Sequence, residues 1–195
     1  EPFAHAGYPM DAAAVLIVEL DGLPAGIDDQ VRRIDDLARS HGAREVRRAA
    51  DADERERIWK GRKSAFGAIA NLKPDYYLND TVIPRSRLAE VLAGIQEAVD
   101  RHDLLIMNVF HAGDGNLHPL IVYDARNAEE TARVLEVGEE IVRLAIDAGG
   151  VLSGEHGIGL EKRRFMGLQF SPEDLEAQGR LRRAFDPDGI ANPAK

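Results

Sequence analysis

The chain has 195 residues, a formal net charge of −9 at pH 7 and no cysteine. The missing cysteines exclude disulfides, thiolate catalysis and thiolate metal ligands, which leaves histidine and carboxylate side chains as the strong metal ligands. The acidic balance disfavours nucleic-acid binding, because a surface that follows phosphates normally carries a basic excess.

Length and hydrophobicity indicate an ordinary globular protein. The hydrophobic fraction is 44%, and no apolar run approaches the roughly 20 residues that a helix needs to span a bilayer. We therefore expect no membrane insertion and one domain over residues 1–195. We expect a cytoplasmic location, with a peripheral position at the inner membrane as the alternative.

The first part of the chain alternates between β-rich runs and helical patterns. The run AVLIVE at 14–19 predicts a central strand. Apolar residues at helical spacing predict a helix over 27–41, closed by Gly42. Residues 43–48 predict a second strand, and 51–71 are rich in helix formers.

The middle of the chain predicts a strand, a helix and a hairpin. Residues 76–83 are strand-like, and 84–101 place one apolar stripe at helical spacing. Two extended runs, 104–111 and 117–123, flank the turn residues Gly113-Asp114-Gly115-Asn116, which predicts a β-hairpin.

Two helices are predicted in the last part of the chain. Asn127 is a suitable N-cap for an apolar stripe that ends at Gly149, and Ser171 followed by Pro172 opens another helix. Strands mixed with helices and including a hairpin favour an α+β fold, with a largely antiparallel sheet and helices packed on one face.

Two segments combine residues that could bind a metal. His111 and His118 lie on the two arms of the predicted hairpin, and a symmetric loop would make them a cross-strand pair on one face. Ser153 to Gly159 (SGEHGIG) puts Glu155 beside His156 in a glycine-rich run. One carboxylate with two imidazoles is a common metal set that leaves positions open for substrate. The alternative is that these are polar residues near turns, with Glu155 a helix cap.

Five stretches together resemble the C-terminal domain of the FAD-linked oxidase family, which oxidises 2-hydroxy acids such as glycolate and D-lactate. The stretches are HAGDGNLHP at 111–119, SGEHGIGLEKRRFM at 153–166, GYPMDAAAVLIVELDG at 7–22, IWKGRKSAF at 58–66 and FDPDGIANPAK at 185–195. They cover essentially the whole chain in order. The resemblance implies a ferredoxin-like α+β domain that caps an N-terminal FAD-binding domain, which this sequence does not contain. We therefore expect the chain to be inactive on its own.

The resemblance also assigns the candidate metal centre and its base. The family's metal ligands fall on His111, His118 and Glu155, and its catalytic base falls on His156. The implied cofactors are FAD, bound mainly by the N-terminal domain, and a divalent metal such as Zn or Mn. In this chemistry the substrate hydroxyl loses a proton to the base while its C2 hydrogen leaves as hydride for the flavin.

Three further residues are candidates for binding substrate or flavin. Arg62 matches the arginine that holds the substrate carboxylate, for which its planar fork is suited; the alternative is a solvated helix charge. Asn116 lies between the two histidines and is a candidate to orient substrate, although an Asn in a turn usually serves its own backbone. Asn192 lies in the terminal stretch that comes close to the flavin in the family, although Ala194 departs from the glycine more usual there.

The expected substrate is a short 2-hydroxy monocarboxylate. Relatives that take dicarboxylic acids place a second basic residue before Pro84, where this chain has Leu78, Asn79 and Asp80. The alternative is that Lys73, Arg85 or Arg164 supplies that second cation. The expected partners are the N-terminal FAD domain, an electron-acceptor subunit and a second copy of the chain. Two other functions remain open: a stand-alone metal-dependent hydrolase, which would act without flavin, and a non-catalytic module that docks a partner.

Overall fold

Helices and short antiparallel strands make up the chain in the computed structural model, which describes residues 5–193. The chain divides into two compact units, Glu1–Ala68 and Ile69–Lys195. One domain over the whole chain, as expected from length, stays a prediction. Residues 194 and 195, which include the Ala194 departure, lie outside the described residues. The mixture of helices with small antiparallel sheets confirms the α+β class.

The first unit is helical where it has regular structure. α1 spans Pro24–Ser40, but Ala25 and Gly26 have non-helical dihedral angles, so the regular helix begins near the predicted residue 27. Gly42 closes it with a φ of +86°, a conformation that glycine adopts without strain.

The predicted helix over 51–71 is divided. α2 spans Ala52–Lys63 and is capped by Asp51, whose side chain accepts a hydrogen bond from the amide of Glu54. The short α3 follows at Ala65–Ile69.

The two strands predicted in the first unit, at 14–19 and 43–48, are wrong: neither run has regular secondary structure. A β-prone run becomes a strand only when a neighbouring strand takes up its backbone hydrogen bonds. Within the described residues of this unit no strand is present to serve as that partner. Val15, Leu16 and Val18 are exposed as a result.

The second unit is built on antiparallel strands. They are β1 Asp75–Leu78, β2 Thr81–Val82, β3 Leu105–Asn108, β4 Asn116–Leu117 and β5 Pro119–Tyr123. β5 lies between β1 and β3, and β2 pairs with β4. The predicted strand over 76–83 is therefore two strands, separated by the buried polar residues Asn79 and Asp80.

Two long helices cover the sheet of the second unit. α4 spans Leu88–Arg101 and α5 spans Ala128–Asp147, with Asn127 as its N-cap as predicted. They pack on each other and on β3 and β5. Their apolar stripes and the middle of β5 form one core, whose fully buried members include Ile95, Val99, Ile121, Val137 and Ile141. This burial is the main stabilising term for the unit.

The remaining helices follow the glycine-rich segment. α6 spans Met166–Gln169 and α7 spans Pro172–Phe185, where Ser171 and Asp174 form a capping box. Among the described residues, none of the helices is both long and apolar enough to cross a membrane.

Candidate metal centre

The register of the hairpin decides how its two histidines lie. β3 and β5 pair antiparallel, and the same register continues to a bridge between His111 and Asn116. A direct cross-strand pair of His111 and His118 is therefore wrong, because the turn between the arms is tighter than a symmetric six-residue loop. The two histidines are diagonal neighbours two positions apart, which still keeps them on one face.

The two imidazoles differ in their surroundings. Their ring centroids are 5.5 Å apart, with the planes at 84°. The side chain of His118 is only 4% exposed, whereas that of His111 is 49% exposed. His118 therefore belongs to the wall of the site, and His111 lies at its open side.

Glu155 approaches both imidazoles from the glycine-rich segment. Its Oε1 atom lies 2.9 Å from Nε2 of His118 and 3.9 Å from Nε2 of His111. The structure thus brings the predicted ligand Glu155 to the two hairpin histidines, which precede it by 44 and 37 positions in the sequence.

His156 lies beside this trio. Its ring stacks almost parallel on that of His118, with centroids 5.0 Å apart, and its Nε2 atom is 3.8 Å from Oε1 of Glu155. The side chain is 44% exposed, so a molecule entering from solvent can reach it.

Asp80 is a central residue of the site that sequence reasoning did not identify. It follows β1, is 1% exposed, and receives hydrogen bonds on Oδ2 from the Ser153 hydroxyl and from the amides of Gly154, Glu155 and His156. One sequence signal could have found it: Asn79, Asp80 and Thr81 are three polar residues inside an otherwise β-prone run. A polar residue that is buried requires partners.

The charge of Asp80 is stabilised in this position. Burial raises the pKa of its carboxyl, but the hydrogen bonds from Ser153 and from the loop amides, together with the charge of Lys162, outweigh burial and lower the pKa to about 2. The Lys162 ammonium lies 3.6 Å from Oδ2 and donates to the backbone carbonyl of Asp80. Burial lowers the pKa of Lys162 against the opposing effect of Asp80.

His118 is biased toward its neutral form. Burial is the largest cause that lowers its pKa; the nearby histidines act in the same direction, and Asp80 and Glu155 oppose them. A neutral imidazole carries the lone pair that a metal ligand needs.

The residues fit a divalent cation. One ligand atom from each of His111, His118 and Glu155 lies within 4.8 Å of the others. Two ligands at about 2.1 Å from a tetrahedral ion are roughly 3.4 Å apart, so small side-chain movements would close the set. The Nδ1 atom of His118 and Oδ1 of Asp80 are buried without a hydrogen-bond partner. Asp80, His118 and His156 form a second, overlapping group.

Asn116 lies inside this cluster rather than on its surface. It is 7% exposed, its backbone pairs with His111, and its side-chain Oδ1 has no hydrogen-bond partner. The side chain packs on Gly154. Its location is compatible with either orienting a bound molecule or supporting the loop.

The other two predicted site residues are Arg62 and Asn192. Arg62 is half-buried in the last turn of α2, in the first unit. Asn192 has a φ of +48°, and its backbone carbonyl accepts a hydrogen bond from Arg182. Their roles stay predictions.

Comparison with known proteins gives a consistent set of relatives. Residues 2–195 match the family described as FAD linked oxidases, C-terminal domain. The chain is 48% identical over 195 residues to the glycolate oxidase subunit GlcD of Escherichia coli (strain K12), covering 100% of this chain and 39% of that protein. It is 36% identical over 195 residues to GlcD of Bacillus subtilis (strain 168), covering 100% of this chain and 42% of that protein.

A third relative carries a different name. The chain is 32% identical over 182 residues to the probable mitochondrial D-lactate dehydrogenase of Danio rerio, covering 92% of this chain and 37% of that protein. The chain thus spans 37% to 42% of the length of these three curated relatives.

Proposed function

The chain belongs to the family of FAD-linked oxidase C-terminal domains, and on this premise we propose that the whole protein is a flavin-dependent dehydrogenase or oxidase of 2-hydroxy acids, of the glycolate or D-lactate type. This chain supplies the side of the active site that binds a divalent cation and the substrate. One observation carries the assignment of the site: Oε1 of Glu155 lies 2.9 Å and 3.9 Å from the Nε2 atoms of His118 and His111.

His111, His118 and Glu155 hold the cation, for which Zn or Mn fits the mixed nitrogen and oxygen donors. When bound, the cation would supply Lewis-acid chemistry at the substrate hydroxyl, and the flavin would supply a hydride acceptor. The buried His118 fixes one ligand position, while the exposed His111 and Glu155 leave the opposite side open to substrate.

His156 accepts the hydroxyl proton. Its ring is held parallel to that of His118, and its exposed side chain lies next to the cation ligands, so substrate bound at the ligands would lie within its reach.

Arg62, Asn116 and Asn192 carry the remaining proposed roles. Arg62 binds the substrate carboxylate through two parallel hydrogen bonds, Asn116 orients the substrate from the hairpin, and Asn192 contacts the flavin. The substrate is a monocarboxylate, because residues 78–80 offer no cation for a second carboxylate and Asp80 there is a buried anion.

The same proposal includes the remaining partners and the location. The N-terminal FAD domain contacts this chain, an electron-acceptor subunit reoxidises the flavin, and two copies form a homodimer. The protein is cytoplasmic or lies peripherally at the inner membrane.

Metal analysis of the whole protein tests the site. We expect close to one divalent cation per chain, loss of that cation in the double variant His111→Ala/His118→Ala, and loss of 2-hydroxy-acid oxidation with it. His102→Ala is the matched control, because it removes an imidazole paired with Glu140 in the same unit. Equal metal content in the double variant and the parent would contradict the assignment.

A flavin-free assay separates the second candidate function. A cation held by His111, His118 and Glu155 beside His156 could also activate water for hydrolysis. Hydrolysis by protein from which flavin has been removed would favour that reading, whereas oxidation of glycolate or D-lactate that requires flavin favours the dehydrogenase.

A further inference from the structure

We propose that Asp80 is the positioning residue of this centre: one carboxylate oxygen fixes the loop that carries Glu155 and His156, and the other orients His118. This inference rests on the cation site of the proposed function. Asp80 itself contacts neither substrate nor cation in this assignment, and it acts through the three residues that do.

Oδ2 of Asp80 is the anchor of the loop. It accepts hydrogen bonds from the Ser153 hydroxyl at 2.7 Å and from three successive amides, those of Gly154, Glu155 and His156, at 3.0, 3.1 and 2.9 Å. Successive amides that converge on one anion form a nest, which binds a negative charge strongly. Here the anion is a side chain of the protein.

This anchor matters because the side chains that it positions are exposed. Those of Glu155 and His156 are 53% and 44% exposed, so packing around their ends constrains them little. Fixing the amides of both residues fixes where their side chains start, and therefore whether Oε1 of Glu155 can approach both imidazoles of the hairpin.

Oδ1 of Asp80 faces the third residue of the centre. It lies 3.9 Å from Nδ1 of His118, and both atoms are buried without a hydrogen-bond partner. An imidazole that binds a cation through Nε2 carries its proton on Nδ1 and is oriented by an acceptor there, commonly a carboxylate. A movement of roughly 1 Å would bring the pair to hydrogen-bond distance.

Lys162 allows the charge of Asp80 to stay buried. Its Nζ atom lies 3.6 Å from Oδ2 and donates to the backbone carbonyl of the same residue. A buried carboxylate without such a partner would be strongly unfavourable. Asp80 is therefore held on both sides, by Lys162 and by the loop, which suits a residue that sets the geometry of others.

The test compares Asp80→Asn with the parent in the whole protein, using two readouts. The first is hydrogen exchange of the cation-free protein, followed in peptides that cover residues 152–158. The second is calorimetric affinity for Zn²⁺. Glu130→Gln is the matched control, because Glu130 is also a buried carboxylate that accepts from an amide and pairs with a lysine.

We expect Asp80→Asn to accelerate exchange in the 152–158 peptides but not in those of α4 and α5, and to weaken Zn²⁺ binding by about 10- to 100-fold. Glu130→Gln should change neither. Ser153→Ala removes one of the four donors and keeps the charge, so it should give a smaller change of the same kind. If Asp80→Asn does not fold, Asp80→Asn/Lys162→Met removes both buried charges and should give the same two effects.

If hydrogen exchange at 152–158 is the same in Asp80→Asn as in the parent, Asp80 does not anchor the loop. If the Zn²⁺ affinity is the same, Asp80 does not position the cation ligands. Complete loss of Zn²⁺ binding would make Asp80 a ligand, as in the group with His118 and His156, and would also overturn the positioning role. If the proposed function itself is wrong, the parent will bind no Zn²⁺. The hydrogen-exchange result would still decide whether Asp80 anchors the loop.

Discussion

Gly154 packs directly on the side chain of Asn116. A Cβ atom built on Gly154 would lie 2.7 Å from the carbon, nitrogen and oxygen of the Asn116 amide, closer than real Cβ contacts occur. The glycine-rich loop can therefore approach the hairpin only because residue 154 has no side chain. This close approach allows Glu155 to reach the two histidines.

Gly154→Ala should consequently damage the centre. The added methyl group must push the loop from the hairpin or displace Asn116, and we expect a loss of about 1–3 kcal/mol in unfolding free energy together with weaker Zn²⁺ binding. Gly113→Ala is the control, because a Cβ there meets nothing within 4 Å. Chemical denaturation and calorimetry measure the two effects, and equal behaviour of both variants would argue against the close packing.

The buried Asp80 should make stability depend on acid pH. Because its pKa is lowered from 3.8 to about 2 in the folded chain, its contribution is fully present above the unfolded value and is lost as pH falls toward 2. The shift corresponds to about 2 kcal/mol near neutral pH. The parent should have a larger free energy of unfolding than Asp80→Asn, and this difference should decrease by about 1.5 kcal/mol from about pH 6 to about pH 2.5. Urea unfolding of the cation-free protein measures it, and a constant difference would contradict the lowered pKa.

Much of the second unit could be predicted from the sequence, because its patterns are local. The apolar stripes of α4 and α5 repeat at helical spacing, and Asn127 caps α5 as its side-chain chemistry suggests. The turn residues 113–116 predicted the hairpin. Its register could not be predicted in the same way, since the bridge from His111 to Asn116 depends on how tightly the turn closes.

The remaining errors have non-local causes. The run at 14–19 has strong β propensity, yet a strand depends on a partner that local sequence does not specify. Asp80 was missed because its partners lie more than 70 positions later, at residues 153–156. Glu155 lies 37 and 44 positions after His118 and His111, so spacing alone did not link it with the hairpin. Residue type and family resemblance made that link.

Gly94 in α4 and Gly138 in α5 should respond differently to substitution by alanine. In Gly138→Ala the new Cβ would lie 2.5 Å from the ring of Tyr77, whereas in Gly94→Ala it would lie 3.2 Å from a methyl of Leu144. Both gain about 1 kcal/mol of helix propensity. We expect Gly138→Ala to lose about 1–3 kcal/mol overall because a ring in a packed core cannot move aside easily, and Gly94→Ala to be neutral or stabilising. Thermal unfolding compares them, and a stabilising Gly138→Ala would contradict the contact.

Alanine variants of the two hairpin histidines should both lose cation binding but should differ in the stability of the cation-free protein. Zn²⁺ at about 100 times its Kd should stabilise the parent by about 2.7 kcal/mol, or roughly 5–10 °C in Tm. His111→Ala should have the same Tm as the parent without cation, because that side chain is half exposed. Adding Zn²⁺ should no longer raise its Tm. His118→Ala should lose the shift and also lower the cation-free Tm, because it leaves a gap in the buried wall of the site. A full Zn²⁺ shift in either variant would remove that histidine from the ligand set.

Arg62 should act on substrate binding without acting on the cation. A guanidinium binds a carboxylate through two parallel hydrogen bonds, which the single ammonium of lysine cannot reproduce. In the whole protein, Arg62→Lys should therefore raise KM for glycolate or D-lactate by about 10-fold or more, since one strong charge-assisted hydrogen bond is worth about 1.5–3 kcal/mol, while the Zn²⁺ content stays that of the parent. Lys60→Ala, on the same helix and exposed, is the control and should leave KM unchanged. If Arg62→Lys and Lys60→Ala raise KM equally, Arg62 does not bind the substrate carboxylate specifically, and the carboxylate binds elsewhere.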